Sequence, residues 1–213
     1  MPSSPRLVLA SASQARRTTL IAAGVDPIVK VSGVDEDAVV AHYAVTDAQD
    51  IALVLARAKA EDVATSVDAD DALAEGALVL GCDSVLELGG EVHGKPADAA
   101  TAIARWQQMR GGSGVLHTGH WLIDAREDGG GGTLGAVAST TVHFAKLSDD
   151  EIAAYVATGE PLAVAGGFTL DGLGGAYVTG IEGDHHSVVG VSLPLLRDLL
   201  GQVGVSWHQL WRR

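Results

Sequence analysis

Residues 6–24 read RLVLA, then SAS, then QARRTTLIAAG. The first five form a short apolar run of strand length. Ser11 and Ser13 follow as two hydroxyl N-cap candidates for a helix over residues 14–23, stopped by Gly24. Strand, small polar turn and helix N-terminus in that order is anion-site geometry, because the first helical N–H groups point outward without partners. Arg16 and Arg17 sit in that first turn. An ordinary capped helix with two solvated arginines gives the same pattern, so the segment predicts strand–turn–helix and leaves its chemistry open.

Working outward, residues 28–32 read as a second strand, followed by an acidic turn at Asp35-Glu36-Asp37. Thr46 to Gln49 (TDAQ) is a capping box that opens a long helix to about Val67. Its apolar stripe, Ile51, Val54, Leu55 and Ala58, places Lys59 on the flank of the buried face. Residues 68–75 are a polar, acidic connector. Residues 77–82 (ALVLGC) form a run suited to a strand buried on both faces, ending at Asp83-Ser84. An acid at the carboxyl end of such a strand stands where ligands bind in α/β proteins. Residues 85–92 read as a hairpin turning at Gly89-Gly90. Asp98 caps a helix to about Met109, broken by Gly111, Gly112 and Gly114.

Two strands follow, near residues 115–125 and 134–144, joined by a glycine loop at 129–132. Ser148 and Glu151 form a second capping box, whose helix ends at Gly159. Glycine-rich strands and turns occupy residues 163–183. A last helix starts near Pro194, and a short tail carries Trp207 and Trp211, four apart, able to bury into a partner or dock on their own core. With no repeat and no long linker, residues 1–213 read as one α/β domain with a mixed sheet and flanking helices.

Composition bounds the function. Fourteen Lys plus Arg against 27 Asp plus Glu give a net charge of −13. A chain so acidic repels a nucleic-acid backbone, so DNA or RNA polymers are excluded as partners. An anionic small substrate then needs a local basic pocket or a divalent cation. The chain has four lysines, Lys30, Lys59, Lys95 and Lys146, which makes each a strong lead. Mean hydropathy is +0.22. Even so, no uncharged apolar run is long enough to span a membrane and no signal-peptide pattern opens the chain, so the reading is a cytoplasmic protein. The single cysteine, Cys82, excludes an internal disulfide and a multi-cysteine zinc site, and reads as a core thiol.

Several motifs fail on inspection. Residues 89–96 (GGEVHGKP) nearly match a phosphate loop, but Pro96 stands where the magnesium-binding hydroxyl belongs. Lys95 in its rigid Gly-Lys-Pro turn remains a point charge for a phosphate. His185-His186, taken as extended, points its rings apart and has no third nitrogen or sulfur ligand at suitable spacing, so a surface turn is expected. His117 and His120 face opposite sides of their strand. No nucleophile elbow and no dinucleotide fingerprint is present. What remains is two acids after strands, Glu36 and Asp83, and three cations, Arg16, Lys59 and Lys95. Carboxylates holding a hydrated divalent ion beside cations suit attack of water on a phosphoanhydride.

Taken in order, LASAS-QARR at 9–17, VDED at 34–37, ARAKA at 56–60, GCDSV at 81–85, GEVHGKP at 90–96 and LHTG at 116–119 resemble the Maf family of nucleotide pyrophosphatases, the septum-formation-inhibitor-like proteins. LSDDEIAAYVATGEPL, AGGFTLDGLG and IEGDHHSVVGVSLPL extend the resemblance to about Leu200. It implies two lobes around a central cleft, and metal-dependent hydrolysis of a nucleoside triphosphate to the monophosphate and pyrophosphate. Asp83 matches the family's proton acceptor, and Glu36 an acid near metal and triphosphate. The divalent ion, Mg or Mn, would be held by Glu36 and Asp83. Arg16, Lys59 and Lys95 match phosphate-binding cations, with Ser11 and Ser13 in the matching loop.

Ala15, Ser84 and Asp171 occupy the base-selecting positions. Members selective for dTTP and UTP have Arg, Thr and Gln there, and those selective for 7-methyl-GTP have Trp, Gln and Glu. This chain fits neither set, and Gln14 replaces the usual proline. Family members are often homodimers, and a housecleaning role or an effect on cell division belongs to the same resemblance. A non-catalytic, nucleotide-responsive partner of division machinery and a magnesium-dependent phosphatase stay open as alternatives.

Overall fold

The computed structural model describes residues 5–67, 70, 73, 76–127 and 129–212. The expected strand–turn–helix is present: β1 (Leu7–Ala10), fully buried, leads into α1 (Gln14–Ala22), whose N-cap Ser13 accepts from the Arg16 N–H. The strand expected at 28–32 shrinks to β2 (Ile28–Val29). The acidic turn is instead the start of a helix, α2 (Glu36–Tyr43), with Asp35 as its N-cap. A helix beginning with consecutive acids is favoured by the positive end of its dipole, a signal the turn reading passed over. In α3 (Ala48–Ala64) the cap is Asp47, not Thr46, its carboxylate accepting from the N–H groups of Gln49 and Asp50. The connector at 68–75 lies outside the described residues except for Asp70 and Leu73.

The core of the fold is a mixed sheet in the order β2-β1-β3-β5-β6-β7, with β4 added to β3. β1 runs parallel to β2 and β3, and the other pairings are antiparallel. β3 (Gly76–Leu88) does not end at Asp83 but continues five residues beyond it, because β5 (Ser113–Arg126) pairs with it from Gly76 to Glu87. What ends near Asp83 is β1, whose last partner on β3 is Gly81. β4 (Glu91–His93) takes up the same edge of β3 only from Leu86. Residues 82–85 therefore lack a strand on that side, and the gap opens a crevice in the sheet. The hairpin between β3 and β4 turns at Gly89-Gly90, both at positive φ (60° and 84°), as a two-residue turn requires.

On one face the three long strands β3, β5 and β6 (Thr133–Phe144) carry the two largest of the molecule's hydrophobic cores. At one end Leu80, Leu122 and Leu134 pack with Leu20 of α1 and Leu196 of α7 (Leu193–Gln202). At the other, Leu86, Leu116 and Phe144 pack with Trp106 of α4 (Ala99–Met109) and Tyr155 of α5 (Asp149–Ala157). The crevice lies between them, giving the two-lobed arrangement. Burying a leucine fully in such a core contributes about 2 kcal/mol.

α3 covers the sheet at very short range. A Cβ on Gly81 would collide with the Ala56 carbonyl oxygen, and one on Gly119 with that of Ala52, one helical turn away. The two glycines thus let a helix backbone lie directly on β3 and β5. This close approach brings the next turn of α3, and Lys59, over Asp83.

In the region expected to hold glycine-rich strands, short 3-10 turns at Glu160–Ala163, Ala165–Gly167 and Leu173–Tyr177 precede β7 (Val178–Glu182). His185-His186 is not extended: Asp184 caps a short helix, α6 (His185–Val189), and the two rings stack at 3.7 Å. The tail docks on its own chain. Leu210 is buried in the first core, and Trp211 pairs with Val25 and covers Gly24. Among the described residues, no helix is long and apolar enough to cross a membrane.

Candidate active site

The crevice widens into a cleft of about 660 Å³ lined by both lobes and by α2 and α3. All ten residues singled out in the sequence line it: Ser11, Ser13, Ala15, Arg16, Glu36, Lys59, Asp83, Ser84, Lys95 and Asp171. Residues from segments as distant as β1 and the turn after Phe168 meet here because β1 stops where β3 continues.

At the floor, Lys59 Nζ donates to Asp83 Oδ1 at 2.5 Å and pairs with Glu36 Oε1 at 2.7 Å. Lys59 and Asp83 side chains are each 11% exposed, whereas Glu36 is 52% exposed, so the pair is buried and Glu36 is its solvent-facing end. Burial pushes the Asp83 carboxyl above the ordinary aspartate range, and the charges of Lys59 and Arg16 only partly pull it back. For Glu36, burial acts in the same sense, but the hydrogen bond and charge of Lys59, with Lys95 and Arg16 beyond, outweigh it and hold the carboxyl below its usual range. The two acids thus face different electrostatic environments at one ammonium. Such a division is how acid–base roles are assigned in enzymes.

The donor set fits a hard divalent cation. Two carboxylates converge on the Lys59 ammonium and outnumber it, so their oxygens lie close together around one point with a formal charge left over. Mg and Mn take oxygen ligands and usually only one or two carboxylates, the rest coming from water and substrate phosphates. Among the described residues, a three-ligand His/Asp cluster occurs elsewhere, at Asp184, His185 and His186. There Asp184 Oδ1 already accepts from the His186 N–H at 3.0 Å and lies 3.2 Å from His186 Nδ1.

Arg16 forms the wall above the floor. Its Nε donates to the Gly190 carbonyl at 2.7 Å, one terminal nitrogen to Ser11 Oγ at 3.0 Å, and the other to Ser84 Oγ at 3.2 Å. Three of five guanidinium N–H groups are committed to protein acceptors, leaving two for a ligand. Ser11 Oγ accepts both from Arg16 and from the Ser13 N–H at 3.1 Å, so its own proton is free to donate. Ser13 Oγ accepts from the Arg16 N–H, which likewise leaves its proton available. Lys95 and Asp171 are exposed at the rim, and Ala15 is half-buried beside them. Ser84 is buried against Arg16 rather than presented freely.

Cys82, beside Asp83, is buried, and desolvation pushes its thiol up to about 12. It is inert packing, as expected. His117 and His120 do face opposite sides. His117 contacts Ser139 and Glu87, whereas His120 accepts from the Ser192 N–H. Sequence reasoning missed Gly190, which lines the cleft, Gly81 and Gly119, which admit α3, and Thr118, which lies behind Ser84. Gly190, at φ 124°, stands where a Cβ would press on Arg16 Nε at 3.0 Å. A glycine beside a hydrophobic run was the available signal for the three glycines, and Thr118 carried none.

Comparison with known proteins gives one answer along the whole chain. Residues 6–203 match the family described as Maf-like protein. A protein of Salinispora tropica named nucleoside triphosphate pyrophosphatase is 59% identical over 98% of this chain and 88% of its own length. Proteins of the same name from Streptomyces avermitilis and Mycobacterium ulcerans are each 52% identical, over 97% of this chain and 94% and 96% of their own lengths. A match of this extent and identity, over a mixed sheet with this cleft, places the chain in the Maf-like protein family.

Proposed function

We propose that this chain is a nucleoside triphosphate pyrophosphatase, hydrolysing its substrate to the nucleoside monophosphate and pyrophosphate by water attack on the α-phosphorus. The observation that carries the reading is the Glu36–Lys59–Asp83 ion-pair chain at the floor of a cleft walled by Arg16 and rimmed by Lys95.

Asp83 accepts the proton of the attacking water. Its raised affinity for protons makes it a better base than an ordinary aspartate, and general-base help of this kind contributes about 10²- to 10⁴-fold. As the new phosphorus–oxygen bond forms, the bond from the α-phosphorus to the bridging oxygen breaks, and pyrophosphate leaves with the electron pair. Arg16, Lys59 and Lys95 neutralise the phosphate oxygens, and Ser11 and Ser13 donate their free hydroxyl protons to them. A divalent cation held by Glu36 and Asp83 would draw electron density from the triphosphate and offset its charge. Asp171 at the rim accepts from an N–H edge of the base, while Ala15 leaves the stacking position unfilled and Ser84 acts through Arg16. The place of action is the cytoplasmic nucleotide pool, with non-preferred or modified nucleotides as substrates.

The test is pyrophosphate against orthophosphate release from a panel of canonical and modified nucleoside triphosphates, with magnesium, manganese or chelator. Metal-dependent pyrophosphate release is expected. Orthophosphate release would identify a phosphatase, and binding without release would favour a non-catalytic partner.

A further inference from the structure

Arg16 can serve a phosphate only if its plane is fixed, and the hydrogen bonds behind it run in a single direction. The Thr118 hydroxyl lies 2.8 Å from the Ser187 carbonyl, which can only accept, so its one proton is spent there. The contact between Ser84 Oγ and Thr118 Oγ1, at 2.9 Å, must then be donated by Ser84. With its proton so used, Ser84 presents only lone pairs to Arg16, and the guanidinium donates into them at 3.2 Å. Thr118 is fully buried, so water offers its hydroxyl no other partner, and Ser84 is 9% exposed at the cleft wall.

A second tie fixes the other end of the guanidinium. His120, fully buried, donates through Nδ1 to the Thr118 carbonyl at 3.0 Å and accepts at Nε2 from the Ser192 N–H at 2.8 Å. This pattern requires the neutral ring with its proton on Nδ1. It clamps the segment after α6 to β5, two residues from the Gly190 carbonyl that receives Arg16 Nε. Two of the three supports of Arg16, Ser84 and Gly190, therefore trace back to residue 118, one through its hydroxyl and one through its carbonyl, while the third is Ser11 Oγ.

We propose that Thr118 is a positioning residue for phosphate binding, its hydroxyl orienting Ser84 so that Arg16 is held with its two spare N–H groups ready for the substrate. The inference rests on the pyrophosphatase reading but concerns the phosphate subsite alone. Without the Thr118 hydroxyl, Ser84 loses the acceptor for its proton and with it the contact that fixes its rotamer, so its lone pairs are no longer held in line with the guanidinium.

The experiment compares Thr118→Val, which keeps shape and loses the hydroxyl, with Thr118→Ser, which keeps the hydroxyl. Each is made in the wild-type and Arg16→Ala backgrounds. Binding of inorganic tripolyphosphate is measured by calorimetry, alongside KM and kcat for the preferred nucleotide. Thr118→Val is expected to weaken tripolyphosphate binding and raise KM by about tenfold with kcat little changed, since the affected bonds are to a charged group. Thr118→Ser should restore wild-type binding, and in Arg16→Ala the valine substitution should have no further effect. Unchanged binding in Thr118→Val, failure of serine to rescue, or an equal loss in the Arg16→Ala background would overturn the proposal. Should Thr118→Val not fold, Thr118→Ala removes the same hydroxyl and is held to the same outcomes. Because tripolyphosphate has no base and needs no turnover, its binding tests Thr118 even if no pyrophosphate is released from any nucleotide.

Discussion

At the scale of single residues, the account turns on Asp83 and the ammonium beside it. Asp83→Asn keeps the size and removes the base, so kcat should fall about a thousandfold while nucleotide binding persists. The pH profile adds a sign. Because burial places the Asp83 carboxyl above its ordinary range, the acid limb of kcat/KM should lie above the value of a free aspartate. Lys59 opposes that rise, so Lys59→Met should move the limb to still higher pH, besides lowering the rate. A limb that moves down, or does not move, would separate Asp83 from the proton transfer. Lys95, exposed at the rim, should behave differently: Lys95→Ala should raise KM severalfold with kcat nearly unchanged, because a screened rim charge contributes about 1 kcal/mol or less.

At the scale of elements, the placement of Lys59 depends on how closely α3 lies on the sheet. Gly81→Ala would force the Ala56 carbonyl away and lift the turn that carries Lys59. Overpacking of this kind costs about 1–3 kcal/mol. Chemical denaturation should show that loss, and nucleotide turnover should fall with it. At the far end of β5, Asp124 accepts from Arg126 Nε at 2.7 Å and from the Gly130 N–H at 3.1 Å, tying down the glycine loop before β6. The Arg126 hydrogen bond, the largest influence, holds the Asp124 carboxyl below its ordinary 3.8 despite burial. A depressed value means stability that is present above the unfolded value and lost as pH falls through the folded one. Asp124→Asn should therefore cost about 2 kcal/mol at neutral pH, with the difference from wild type closing in acid. Urea unfolding at both pH values measures it.

Elements were legible in the sequence where a local signal set them. Ser13, Asp98 and the Ser148–Glu151 box all cap the helices they announced, and Gly89-Gly90 turns the expected hairpin. The reading failed where tertiary pairing decided. β3 runs through Asp83 because β5 pairs beyond it, which no local pattern at residues 83–84 reveals. The first residues of α2 and α6 were read as turns, the one for its run of acids and the other because His185-His186 was taken as extended, although both follow an aspartate cap.

At the scale of the molecule, an acidic chain gathers cations at one place. With a net charge of −13, it still lines the cleft with Arg16 and with Lys59 and Lys95, half of its lysines. The long strands shared by two cores hold that cleft open, and the interrupted edge of β3 gives access to Asp83. The convergence of the ten candidate residues could not be read from spacing alone, since it depends on β1 stopping one residue before Ser11 while β3 continues. The central claim is that water attacks the α-phosphorus from the side of Asp83. Hydrolysis of the preferred nucleotide in ¹⁸O-labelled water tests it most directly, with mass spectrometry of both products. The account predicts label in the nucleoside monophosphate and none in pyrophosphate. Label in pyrophosphate, or in released orthophosphate, would contradict it.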